Sequence, residues 1–330
     1  MDYETVFNFL LLIVGIFILV RSGVYIVRAL VNIAHFLNVS EFTLSFILMA
    51  LATTLPEFGV GIGSAFSGQP MISLGNVFGS NILNLSFILG LIALISGKLE
   101  SNGEITAHRG WANFFFGISP IILLLDLELS RVDGLILIGL FFLQLVRIFK
   151  ISEIVQHRRD FWKTFINHFN DREDKFGIKY FLKNIMIFSL ASGFLLLSSS
   201  IIISSIEKIS FKVGVSELLL SIFIVALGTS LPELFFGIKA ILSKNYGLSL
   251  GNLYGASVFN STWILGLTAL IYPIKIIETN SYYFTAATMI LVLFLANLFL
   301  WTFKKISRRE GIVLLLIYLS FLIIQIIYFK

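Results

Sequence analysis

Two stretches of this chain spell nearly the same words at a constant offset. Residues 50–57 read Ala-Leu-Ala-Thr-Thr-Leu-Pro-Glu, and residues 226–233 read Ala-Leu-Gly-Thr-Ser-Leu-Pro-Glu. Residues 75–84 read Gly-Asn-Val-Phe-Gly-Ser-Asn-Ile-Leu-Asn, and residues 251–260 read Gly-Asn-Leu-Tyr-Gly-Ala-Ser-Val-Phe-Asn. The offset is 176 residues in both cases, and no gap is needed from about residue 39 to residue 94. Val39-Ser40-Glu41 matches Val215-Ser216-Glu217, and Ile88-Leu89-Gly90-Leu91 matches Ile264-Leu265-Gly266-Leu267. One glutamate and one proline therefore recur in equivalent, strongly apolar surroundings, which points to a duplicated membrane fold with an ion site between its halves.

Composition sets the solvent. Of 330 residues, 57% are hydrophobic and 13% charged, with a mean hydropathy of +0.95. Soluble domains carry about a quarter charged residues, and a soluble core of this size could not hide so much apolar surface. Long apolar runs separated by short polar breaks favour helices over a barrel, whose strands would alternate. Cysteine is absent, which excludes disulfides and thiolate metal sites. The N-terminus, Met-Asp-Tyr-Glu, lacks a basic leader, so the first apolar run reads as a retained span.

Crossing the hydrocarbon takes about 20 apolar residues. Ten spans are expected, near 6–28, 42–66, 71–97, 111–128, 133–150, 181–206, 217–242, 247–272, 282–303 and 311–329. The expected fold is all-α: a polytopic membrane protein of ten transmembrane helices in two inverted five-helix repeats. Five spans per copy is odd, so the second copy enters the membrane from the opposite side. Residues 1–150 form the first repeat, 151–180 a cytoplasmic linker and 181–330 the second repeat. With the linker in the cytoplasm, that side gathers most basic residues, Lys98, Arg158, Arg159, Lys305 and Arg308 among them. The other side keeps Arg131, Lys208, Lys212, Lys275 and Lys330, which places both termini outside the plasma membrane. This use of the basic residues makes nucleic acid a poor partner for the net charge of +5; the lipid bilayer is the partner expected.

Thr53 and Glu57 are four apart and share one helix face. Pro56 lacks an N–H and pushes against the carbonyl of Ala52, so carbonyls around 50–53 are expected to leave the helix ladder. In hydrocarbon such carbonyls persist only when protein or an ion satisfies them. Thr229, Pro232, Glu233 and the carbonyl of Gly228 repeat the set. Two carboxylates with neutral hydroxyl and carbonyl oxygens suit a hard cation, and Ca2+ takes six to eight oxygens. An ionised carboxylate at membrane depth costs at least ~2.5 kcal/mol, so intramembrane acids default to function over structural, protonated packing. Ser80 and Asn84 share a face of the third span, and Asn260 repeats Asn84 while Ala256 replaces the serine. Gly75-x-x-x-Gly79 and Gly251-x-x-x-Gly255 are packing motifs that bring the third and eighth spans against the second and seventh. Asn76 and Asn252 read as caps on opened helix ends.

Elsewhere the signals are weak. His35, His108, His157 and His168 read as surface residues, and Asp171, Glu173 and Asp174 lack EF-hand spacing. Phe161, Trp162, Phe165 and Phe169 alternate with basic residues, as in a helix lying on the membrane. No nucleophile elbow or Walker loop is present, so neither an enzyme nor an ATP-driven pump is expected.

The Thr-[Ser/Thr]-Leu-Pro-Glu and Gly-Asn-x-x-Gly-[Ser/Ala] pairs resemble the two alpha repeats of the calcium/cation antiporter superfamily, here at 45–94 and 221–270. The likeness covers nearly the whole chain and is greatest to prokaryotic sodium/calcium exchangers. It implies that Glu57, Glu233, Thr53 and Thr229 bind Ca2+. It implies Na+ sites that share the glutamates and add Ala50, Thr54, Ser80 and Asn84, then Ala226, Ser230 and Asn260. Three departures stand out. Ala52 replaces the usual Gly, Ala256 removes a hydroxyl, and Asn260 stands where close archaeal relatives carry Asp, leaving two formal negative charges in the core.

The expected function is exchange of Ca2+ for Na+ by alternating access, with the first and sixth spans sliding against a core that holds the site. Ca2+ and Na+ are the transported substrates, no cofactor is required, and a monomer suffices. Ca2+/H+ exchange and a K+-dependent variant are the near alternatives. A cation channel is the alternative of a different class, and a non-transporting scaffold leaves the duplicated acids unexplained.

Overall fold

The computed structural model describes residues 3–36, 41–100, 107–148, 178–242, 244, 246–303 and 305–328. The aromatic and acidic positions expected between 157 and 174 lie outside the described residues. Among those described, the chain is mostly helical, and its helices fall into ten runs.

The first half holds α1 (Tyr3–Phe36), α2 (Glu41–Phe66), α3 (Pro70–Ile82), a π segment (Leu83–Ile88), α4 (Leu89–Ser96), β1 (Lys98–Glu100), α5 (Ala107–Leu123), β2 (Glu128–Leu129) and α6 (Arg131–Ile148). The second half repeats the order. It holds α7 (Ile178–Val213), α8 (Glu217–Leu220), a π segment (Ser221–Val225), α9 (Ala226–Thr229) and α10 (Leu231–Leu242). Then come α11 (Tyr246–Phe259), a π segment (Asn260–Ile264), α12 (Leu265–Ile271), β3 (Ile274–Lys275), α13 (Thr279–Phe303), β4 (Lys305–Ser307) and α14 (Arg308–Tyr328). Among the described residues, five stretches are long and apolar enough to cross a membrane: Tyr3–Ile26, Pro70–Ser96, Lys179–Val213, Thr279–Thr302 and Arg308–Tyr328. Glu217–Thr229 with Leu231–Leu242 makes a sixth, bent by 41°.

Burial orders these helices around a centre. In the apolar stretch of the α3–α4 run 78% of the residues are buried, against 22% in that of α14, so the polar motifs of the third run sit in the middle and α14 at the rim. Leu74, Val77, Phe78, Ile82, Leu85 and Ile88 anchor the main apolar cluster. Gly75 and Gly79 let α3 approach the other half: a Cβ at Gly75 would lie 2.6 Å from the Leu218 carbonyl oxygen, and one at Gly79 2.5 Å from that of Ile222. Only glycine permits that contact.

The two halves interlock. β1 pairs antiparallel with β4, and β2 with β3 (Lys98↔Ser307, Glu128↔Lys275). These ribbons are a small departure from a purely helical chain, and each joins one half to the other. Gly90 of α4 meets Gly311 of α14, and Gly266 of α12 meets Gly134 of α6. The last helix of each half therefore packs on the third run of the other. The long α1 and α7 run antiparallel: Glu4 pairs with Lys212, Gly15 abuts Ile201 and Ile202, and Asn32 meets Asn184 at 2.9 Å.

One expected symmetry fails. The sequence predicts that both copies open at the proline, yet α2 runs unbroken through Pro56. The second copy breaks at Ser230, whose φ of −85° and ψ of 5° end α9 before α10 begins. Alanine at 52 favours helix over the glycine at 228 by about 1 kcal/mol. Gly228 also lies against Ile16 of α1, where a Cβ would come within 2.5 Å.

Candidate functional site

Glu57 and Glu233 are fully buried. They come from opposite halves, and Glu57 reaches the second half at Ser230, three residues before Glu233. Among the described residues, neither appears in a salt bridge to a Lys or Arg, and no three His, Cys, Asp or Glu side chains converge. Any cation here would rely on two carboxylates and neutral oxygens.

The two acids are held differently. Glu57 lies mid-helix in α2, and its Oε1 accepts from the Ser230 hydroxyl at 3.3 Å and the Ser80 hydroxyl at 3.5 Å. Ser80 also lies 3.5 Å from the Thr229 hydroxyl, so it bridges both halves. Glu233 sits in the first turn of α10, opened by the break at Ser230, with Pro232 where a missing N–H costs nothing. That helix N-terminus favours a negative charge. Neither oxygen of Glu233 receives a hydrogen bond, nor does Oε2 of Glu57. Ala256 explains part of the difference, because it cannot supply the hydroxyl that Ser80 gives.

The threonines are tied across the halves. The Thr229 hydroxyl donates to Oδ1 of Asn76 at 3.0 Å, and Thr53 donates to Oδ1 of Asn252 at 3.1 Å. Asn76 and Asn252 therefore do not cap helices. They lie within α3 and α11, buried, and fix the threonine hydroxyl protons. With its proton engaged, each threonine oxygen has lone pairs to offer a cation.

The remaining predicted positions lie in the helices that carry the two motifs. Thr54 is buried, and the Ala226 carbonyl accepts from the Ser230 N–H at 3.0 Å. Ala50 lies on α2. Asn84 is fully buried in the first π segment, and neither of its amide atoms has a partner. Asn260 opens the third π segment, with Nδ2 bonded and Oδ1 unpartnered. π turns widen a helix by one residue and concentrate at functional places. Buried polar atoms without partners cost ~1–3 kcal/mol each, so a cluster of them marks a place built for a ligand.

Sequence reading missed Asn81 and Ser261. Asn81 is fully buried, donates to the Ser261 hydroxyl at 2.9 Å and accepts from Asn260 at 3.2 Å. Its equivalent in the second copy is Ser257, so comparing the copies passed over it.

Two buried acids from opposite halves of a duplicated, interlocked helical fold narrow the family, and a comparison of sequences decides it. The family model described as sodium/calcium exchanger protein matches residues 7–150 and 183–327, stretches that begin 176 residues apart. The chain belongs to the sodium/calcium exchanger protein family. It is a membrane ion exchanger of the calcium/cation antiporter group. A relative, the sodium/calcium exchanger MaX1 of Methanosarcina acetivorans, is 28% identical over 351 residues, covering 96% of this chain and 98% of that protein. Among solved structures, the sodium-calcium exchanger NCX_Mj superposes with a TM-score of 0.61 at 23% identity, covering 98% and 99% of the two chains. The H+/Ca2+ exchanger CAX superposes with a TM-score of 0.74 at 17% identity, covering 96% and 82%. Both likenesses speak to the fold.

Proposed function

We propose that this exchanger carries Ca2+ against Na+ by alternating access, through ten spans in two inverted five-helix repeats. The observation that carries the reading is the pair Glu57 and Glu233, buried acids from opposite halves whose carboxylates keep three oxygens without hydrogen bonds. One Ca2+ neutralises two carboxylates, as do two Na+. Because both ions use the same acids, binding one expels the other, and that competition is the basis of antiport. Glu57, Glu233, Thr53 and Thr229 would form the Ca2+ shell, and the neighbouring hydroxyl, amide and backbone oxygens would add the Na+ positions. The antiparallel α1–α7 pair supports the inverted reading, as do the two ribbons, each of which joins the loop after the third run of one half to the loop before the last helix of the other. The protein would work as a monomer in the plasma membrane with both termini outside.

The test is Ca2+ uptake into proteoliposomes. An outward Na+ gradient is expected to drive uptake, and a pH gradient alone is not. Uptake driven by pH without Na+ would instead make the chain a Ca2+/H+ exchanger. Rapid Ca2+ flux without a counter-ion would make it a channel.

A further inference from the structure

Asparagine is a two-ended ligand. Its oxygen attracts a cation and its NH2 repels one, and the two ends are nearly the same shape. A carboxylate has no wrong end. An asparagine beside a cation therefore needs something behind it that accepts its N–H groups and so turns the oxygen forward.

Asn260 has such a neighbour. Its Nδ2 donates to Oδ1 of Asn81 at 3.2 Å, and its own Oδ1, fully buried, has no partner. Asn81 cannot turn over freely, because its own Nδ2 donates to the Ser261 hydroxyl at 2.9 Å and to the Ser257 carbonyl at 3.4 Å. The chain of bonds runs one way: Asn260 to Asn81 to Ser261. It crosses from one half of the protein to the other. Ser80, the residue before Asn81 on the same helix, lies 3.5 Å from Glu57.

We infer that Asn81 is a positioning residue for ion selection: by accepting the Asn260 amide protons, it aims the Asn260 oxygen into the cation site. The inference rests on the reading that the Glu57–Glu233 site holds the transported cation. Asn81 does not touch the cation itself. It lets a neutral residue at 260 serve a cation, and so holds the formal charge of the site at two.

The role predicts a dependence on residue 260 that simple packing does not. In the unmodified chain, Asn81→Ala frees the Asn260 amide to present its NH2 group, and the Ca2+ dissociation constant rises about tenfold (about 1.4 kcal/mol). In the Asn260→Asp chain, either oxygen faces the cation, and Asn81→Ala changes the constant by less than about twofold. The measurement is Ca2+ titration of the purified full chain by calorimetry, with thermal melting to verify folding. Ser261→Ala removes the anchor of Asn81 with little loss of volume and stands in if Asn81→Ala does not fold. It is expected to weaken Ca2+ binding about threefold with Asn260 and not with Asp at that position. Equal weakening in both backgrounds would overturn the positioning role and leave Asn81 a packing residue. Glu57→Gln separates the two readings. If Ca2+ binding survives it unchanged, the site itself is misplaced and the inference falls with it; if binding is lost, the comparison at 260 judges Asn81 alone.

Discussion

The Thr229 hydroxyl of the second half donates to Oδ1 of Asn76 in the first, at 3.0 Å, and the mirror bond from Thr53 to Asn252 is 3.1 Å. Each half thus orients a hydroxyl of the other. The proposed cation centre would exist only when both halves are assembled.

The Thr229–Asn76 bond should appear as an energetic coupling. Thr229→Val and Asn76→Ala are each expected to weaken Ca2+ binding, and the double variant to lose less than the sum of the two. The shortfall should be about 0.5–1.5 kcal/mol. A double-mutant cycle on the Ca2+ dissociation constant checks it, and strict additivity would mean that the two side chains act independently.

Neutralising either acid should stop exchange, because one remaining charge cannot balance Ca2+. Glu57→Gln and Glu233→Gln are each expected to lower Na+-driven Ca2+ uptake by at least about 100-fold, the kinetic equivalent of ~2.7 kcal/mol. Their effects on stability should differ. Glu57 accepts two hydroxyl hydrogen bonds and Glu233 none, so Glu233→Gln should raise the melting temperature in Ca2+-free, Na+-free buffer relative to Glu57→Gln. A gain of ~1 kcal/mol corresponds to about 2–4 °C. Equal melting temperatures for the two variants would contradict the difference in their surroundings.

Gly79 offers a test of the interlock. A methyl group there would press on the Ile222 carbonyl oxygen and the Ala226 side chain, and the backbone cannot rotate away. Gly79→Ala is expected to cost ~1–3 kcal/mol through overpacking. Detergent melting would read this as a clear drop, while Gly139→Ala, whose Cβ meets nothing within 4 Å, should melt like the parent.

Gly63 tests the sliding step. The Ser199 hydroxyl of α7 donates to the Gly59 carbonyl at 2.7 Å, and a Cβ at Gly63 would overlap that same hydroxyl. If α7 moves along α2 during transport, Gly63→Ala should lower the maximal uptake rate at least about tenfold, equivalent to ~1.4 kcal/mol. The Ca2+ dissociation constant should stay nearly unchanged. Loss of binding with an unaltered rate would point to a role in the site instead.

The sequence carried the duplication, the apolar solvent and the identity of the acids, because those properties are local. A repeat offset, a run of twenty apolar residues and a proline beside a glutamate can each be read one window at a time. The cross-half bonds were not legible. Thr229 and Asn76 are 153 residues apart, and Asn260 and Asn81 are 179 apart. Helical periodicity says which face a residue occupies, not which foreign helix that face meets. Asn76 looked like a cap because a cap is the local use of asparagine, and Asn81 had no twin to flag it. The break at Ser230 against the unbroken α2 is likewise a tertiary outcome. Two nearly identical stretches meet different neighbours, and Ile16 pressing on Gly228 has room only because that position lacks a side chain.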